Sequence, residues 1–205
     1  MMGSLKHNIV YVAPASTRTS SFHGWMSQCF GAIPIGKAHT CLIPKEYRHC
    51  RVVMSARDPY ERAHSMWWFA AMDPNRKPKC ASCYGRSFIQ YMEFLCWYRD
   101  HLYNPEKYHT PEVYQTLSMY VNDIMVQTHT PPSIVTYGDH TQQQLLDLFP
   151  DTPPHAFQER RKSPTRPPSR RFFGVMEEEA VWQYCRDDFA LLGIQRRKPE
   201  TAVTH

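Results

Sequence analysis

Residues 15–21, Ala-Ser-Thr-Arg-Thr-Ser-Ser, gather five hydroxyls around one cation, Arg18. Set ahead of a helix, such a stretch suits an anion, because the orphan N–H groups and the dipole of a helix N-terminus face the ligand and Arg18 adds a full charge. A Ser/Thr-rich helix cap would read the same way. A second cation, Arg57, stands eight residues ahead of Ser65, and the two share an anion only if Arg57 folds back over the helix between them. His39 and His23 are the candidate bases, since an imidazole titrates near neutrality and can take a proton from a hydroxyl; a surface or packing role is the plainer account of each. Residues 158–171 hold Arg160, Arg161, Lys162, Arg166, Arg170 and Arg171 with three prolines, which reads as a solvated basic loop or a weak nucleic-acid patch without interleaved aromatics. Cys80-x-x-Cys83 is half of a zinc knuckle and lacks a second Cys-x-x-Cys, so two free thiols or a local disulfide explain it as well as zinc does. No Gly-x-x-x-x-Gly-Lys-Ser/Thr occurs, which disfavours an ordinary nucleotide kinase or ATPase.

The elements that must position these residues are readable from pattern. Residues 9–13 form a short apolar run stopped by Pro14, as a strand buried on both faces would be. From Ser21, Phe22, Trp25, Met26, Cys29 and Phe30 recur at helical spacing up to Gly31. Residues 52–56 read as a second buried strand, followed by a helix with Asp58 as N-cap, Pro59 at its first position and an inward stripe of Ala63, Met66, Trp67 and Ala70. Further helices are expected over 88–98, 111–126, around Leu145, Leu146 and Leu148, and over 177–192; residues 133–137 look like a third strand. Strands alternate with helices and no hairpin signal stands out, so an α/β fold around a central parallel sheet flanked by helices is expected.

The 205 residues carry 42% apolar and 13% aromatic side chains, enough to build a core and to exclude a wholly disordered chain. A net charge of +5 favours an anionic ligand without requiring nucleic acid. Seven cysteines, an odd number with no secretion signal, point to reduced thiols, and no run reaches the ~20 apolar residues of a membrane span, so a soluble, cytoplasmic protein is expected.

Taken in order, the strand, Pro14-x-Ser16-x-x-Thr19-Ser20, a helix, a second strand and Arg57-Asp58-Pro59-Tyr60-Glu61-Arg62-x-x-Ser65 resemble the sulfotransferases that use 3′-phosphoadenosine 5′-phosphosulfate (PAPS), above all the carbohydrate and heparan sulfate O-sulfotransferase branch. Residues 134–139 resemble that family's late strand and acidic turn, and Tyr184-x-x-Asp187-Asp188-Phe189-x-Leu191-Leu192-Gly193 its closing helix, so the resemblance covers about residues 9–194. It implies a P-loop-like sulfotransferase fold as a single domain over 1–194, with the basic loop 158–171 inside it and a polar tail over 195–205. It also implies PAPS as cofactor, PAP as product and no metal. On this resemblance Ser16, Thr17, Arg18, Thr19 and Ser20 cradle the 5′-phosphosulfate, Arg57 and Ser65 hold the 3′-phosphate, and Ser163 and Arg166 belong to a loop that closes over the nucleotide. A His shortly before the Arg-Asp-Pro strand is the base in the uronyl 2-O-sulfotransferases, which places His39 first; His23, in the first turns of the helix after the anion loop, is the second candidate. The family's first motif reads Pro-Lys-Thr/Ser-Gly-Thr-Thr/Ser, and its Lys meets the bridging oxygen of the leaving sulfuryl group; here that position is Ala15 and the Gly position is Thr17. Arg18 is the cation left to reach that oxygen, and its planar fork is a broader, stiffer donor than an ammonium.

The implied activity is transfer of a sulfuryl group to a hydroxyl or amine of a saccharide or other small acceptor, with nucleic acid ranked below PAPS and no membrane partner; the compact length suits a soluble bacterial or viral version. The alternative, motivated by Ala15, is a sulfotransferase-fold protein without catalysis that binds or builds within a larger assembly. On the first two readings, Arg57→Ala weakens PAP by about tenfold to a hundredfold, the worth of a charged hydrogen bond. An unchanged Kd by calorimetry would remove the 3′-phosphate assignment from Arg57.

Overall fold

In the computed structural model, residues 1–74, 81–104, 114–153, 157–158 and 173–196 are described. The apolar runs expected to be strands are strands. β2 (Ile9–Val12) and β4 (Arg51–Ala56) pair in parallel, Tyr11 opposite Val53, and β4 pairs in parallel with β5 (Ser133–Thr136), Ser55 opposite Val135. The sheet is nevertheless mixed, not wholly parallel. β1 (Met2–Ser4) runs antiparallel to β2 and to the two-residue β3 (Ile33–Pro34), giving the order β3-β1-β2-β4-β5.

The hairpin β1–β2 is therefore an element that the pattern reading missed. Its turn closes with the Asn8 N–H donating to the Leu5 carbonyl at 3.2 Å, and Asn8 adopts a left-handed φ of 52°, a conformation Asn tolerates better than most side chains. A three-residue strand gives too few alternations to register as a period.

Two compact units divide the chain. The first comprises Met1–Arg57 and Asn104–Lys162, and the second Asp58–Tyr103 and Ser163–His205. In the first, α1 (Thr19–Phe30) buries Phe22, Trp25 and Met26, spaced three and four apart, against the face of the sheet formed by Ile9, Tyr11, Ala13, Val53 and Val135. Gly31 ends it in a left-handed conformation at φ 55°, with N–H groups of Gly31 and Ala32 returning to the carbonyls of Ser27 and Met26. α4 (Leu117–Thr128) and α5 (Thr141–Leu148) complete this unit. The helix expected from residue 111 starts later in the described chain, because the Thr116 hydroxyl caps it by accepting from the Met119 N–H at 3.2 Å.

The second unit is helical: α2 (Pro59–Trp67), a π turn over Trp68–Met72, α3 (Phe88–His101) and α6 (Val175–Leu192). Asp58 caps α2 as the sequence indicates, its carboxylate accepting from the Glu61 N–H at 3.0 Å, with Pro59 at the first position. Ala63, Met66, Trp67 and Ala70 are buried. α2 and α6 are joined by Tyr60 packing edge-on to Phe189, ring centres 5.1 Å apart, and by a fully buried pair, Arg62 and Asp188, at 4.0 Å. α6 departs from helical geometry at Cys185, and Arg99 of α3 donates to the carbonyls of Gln183 and Tyr184 that precede the kink. Among the described residues no helix is long and apolar enough to cross a membrane.

Gly3 in β1 has no room for a side chain: a Cβ there would meet Ile35 Cδ1 and Tyr47 Cε1 at 2.7 Å each. Gly3→Ala should lower stability by about 1–3 kcal/mol through overpacking, read from the urea midpoint at constant m-value.

Candidate functional site

The carboxyl end of β2 runs into the hydroxyl-rich loop, and the loop into α1. Two of its residues, Ser16 at φ 65° and Arg18 at φ 63°, occupy the left-handed region, which a non-glycine residue enters at a cost of about 1–2 kcal/mol. Arg18 is the N-cap of α1, yet its side chain makes no capping hydrogen bond. It extends instead across the carboxyl end of the sheet, its guanidinium 5.2 Å from the centre of the Tyr137 ring just beyond β5, and its buried Nε has no hydrogen-bond partner among the described residues. Thr19 and Ser20 open the helix, half-buried and exposed, with the outward-facing N–H groups of a helix start.

Between the two left-handed residues Thr17 points inward and is 0% exposed. Its hydroxyl lies 2.7 Å from the Pro14 carbonyl and 2.7 Å from Ser55 Oγ, which in turn lies 2.6 Å from the Tyr11 hydroxyl. The Thr17 side chain is thus taken up within the fold, and its contribution at the ligand face is limited to backbone. Ala15 is 7% exposed, so its methyl group is packed inward.

His39 lies beside this loop. Its Nδ1 is 2.9 Å from the carbonyl of Ala13, and because a carbonyl can only accept, Nδ1 carries the proton. In the neutral ring Nε2 is then the lone pair. His39 itself has a left-handed φ of 60°, and its own carbonyl accepts from the Tyr120 hydroxyl of α4 at 2.9 Å. Gln127, two turns further along α4, donates to the Cys41 carbonyl at 2.8 Å and accepts from the Ile43 N–H at 2.9 Å. Between them Asp123 accepts from Gln115 at 2.9 Å. The buried polar residues Tyr120, Asp123 and Gln127, three and four apart, therefore form one face of α4, and two of them hold the backbone of the segment that carries His39.

The other anticipated residues are placed as follows. His23, on α1, sets its ring edge-on to Tyr11 with centres 5.7 Å apart and takes part in helix-to-sheet packing. Arg57, 7% exposed, closes the first unit after β4, whereas Ser65, 2% exposed, belongs to α2 of the second. Ser163, Arg166 and Cys80 lie outside the described residues. Cys83 is buried, and no group of metal-ligating residues occurs among the described ones. Tyr11, Ser55, Tyr120 and Gln127 were not anticipated. Their signals are slight: a hydroxyl inside each of two apolar runs, and polar residues at helical spacing in and just after the stretch 111–126.

The chain matches no protein-family model, no curated protein and no solved structure. What can be said of function therefore rests on this geometry: an uncapped helix start and a guanidinium suited to an anion, beside an imidazole held in one tautomer with its basic nitrogen available.

Removing the Tyr120 hydroxyl leaves the His39 carbonyl without that donor while keeping the ring in place. Tyr120→Phe should lower stability by about 1–2 kcal/mol, measured by denaturant unfolding.

Proposed function

We propose that this protein is a PAPS-dependent sulfotransferase that transfers a sulfuryl group to a hydroxyl of a saccharide or other small acceptor. The observation that carries the reading is the His39–Ala13 hydrogen bond, which leaves Nε2 as the acceptor next to the loop that bears Arg18. The three parallel strands, with a loop and helix following the first, support a P-loop-like sulfotransferase fold. Among the described residues no two cysteines are joined in a disulfide, which fits a reducing compartment.

On this reading PAPS binds with its phosphosulfate against residues 16–20 and its 3′-phosphate near Arg57. His39 Nε2 takes the proton of the acceptor hydroxyl as the oxygen attacks sulfur in line. The new O–S bond forms as the S–O bond to the 5′-phosphate breaks, and the electron pair leaves on the phosphate of PAP. Such a transfer needs alignment and charge stabilisation more than covalent help from the protein. Arg18 supplies the positive charge that Ala15 does not. A second reading follows from Ala15: the site binds PAP and turns nothing over.

Thermal unfolding with and without PAP tests the shared premise. Ligand at a hundredfold excess over Kd stabilises the native state by about 2.7 kcal/mol, and AMP, which lacks the 3′-phosphate, should give little shift. With PAPS and an accepting saccharide, His39→Gln should lower kcat by about 10²–10⁴ with the PAP shift retained. No shift with PAP sinks both readings, full turnover of the His39 variant sinks the role of His39, and a PAP shift without turnover for any acceptor favours the binding role.

A further inference from the structure

The loop 14–18 holds two non-glycine residues in left-handed conformations, and the side chain between them, Thr17, is anchored to the sheet interior. Three hydroxyls and one carbonyl lie in series: Tyr11, Ser55, Thr17 and Pro14, at 2.6, 2.7 and 2.7 Å. Each hydroxyl has a single proton to give. The Pro14 oxygen has none, so the Thr17 proton is spent on it; Ser55 must then donate to Thr17, and Tyr11 to Ser55. The chain therefore runs one way, with no alternative proton arrangement. Burial pushes the Tyr11 phenol well above its usual range, in keeping with a donor that stays protonated.

The sheet supplies the geometry. Tyr11 stands opposite Val53 in the parallel pair, and Ser55, two residues beyond Val53, shares its face, so the phenol reaches diagonally along the sheet to the serine. Both side chains are 0% exposed and neither reaches the ligand face.

We propose that Tyr11 and Ser55 are positioning residues of the anion loop: their one-way relay latches Thr17 and so holds Ser16 and Arg18 in the left-handed conformations that start α1 with an uncapped N-terminus. The proposal rests on the reading of that loop as the phosphosulfate site, and it adds two residues of the sheet interior to the machinery of the site. Tyr11 and Ser55 act through Thr17 and touch no substrate.

Two measurements keep the latch and the site apart. The first needs no ligand: limited trypsin digestion, with the peptide that begins at Thr19 quantified by mass spectrometry. In Ser55→Ala and in the isosteric Thr17→Val, cleavage after Arg18 should rise by about tenfold, the worth of one lost hydrogen bond, while cleavage after Arg51 in β4 of the same unit holds. Thr17→Ser, which keeps the hydroxyl, should behave as the wild type, and Tyr11→Phe should fall between. Equal acceleration after Arg18 and Arg51, or none, overturns the latch, since a merely structural role lowers stability throughout the unit. The second measurement is the Kd for PAP by calorimetry. If the wild type binds, Ser55→Ala and Thr17→Val should weaken PAP by about tenfold and Thr17→Ser should not; an unchanged Kd overturns the positioning role. If the wild type does not bind PAP, the reading of the site fails, and the trypsin series still decides the latch.

Discussion

At the carboxyl end of β2 two successive carbonyls, those of Ala13 and Pro14, accept hydrogen bonds from side chains, His39 Nδ1 and Thr17 Oγ1, at 2.9 and 2.7 Å. A buried carbonyl without a donor is costly, and a chain leaving a sheet has to find donors for such groups. Here the two donors are also the groups that define the site. One fixes the imidazole tautomer, and the other pins the middle of the loop that leads into α1.

The consequence runs outward from the carboxyl end of β2 through both halves of the first unit. Thr17 depends on Ser55 of β4, and Ser55 on Tyr11 of β2, so the loop conformation is tied to the parallel register of the two strands. His39 depends on Tyr120, and its neighbours Cys41 and Ile43 on Gln127, so the imidazole is tied to a buried polar face of α4. Such faces carry risk, because each group left unpaired in a low-dielectric interior is destabilising, but when every member is paired they specify one arrangement more sharply than apolar packing does. A fold that sets Arg18 and His39 after the carboxyl end of β2 gives the candidate site its geometry, which the fold class by itself would not.

The second unit is built on different terms. α2, α3 and α6 pack through aromatic edges such as Tyr60 on Phe189, and through the buried Arg62–Asp188 pair, whose charges are stable in the interior only while both partners are present. The kink at Cys185 leaves the two preceding carbonyls to Arg99, a long side chain able to lay its stem on the helix and donate from its fork.

Local physics was legible from the sequence alone. Asp58 and Pro59 start α2 because a carboxylate can take an orphan N–H and proline lacks one; Phe22, Trp25 and Met26 face the sheet because 3.6 residues make a turn; the runs 9–13 and 52–56 supply strands because, one hydroxyl in each aside, their side chains are apolar. The hydroxyl-rich loop, Arg18 and His39 could also be named as candidates from residue type and place in the chain. Tertiary structure alone decided which hydroxyl faces inward, which nitrogen of His39 keeps its proton, and that a three-residue strand joins the sheet between β2 and β3. Those outcomes depend on contacts across long separations, 26 residues for His39 and Ala13, 38 for Thr17 and Ser55, 81 for Tyr120 and His39, and no local pattern encodes a partner that only chain closure brings near.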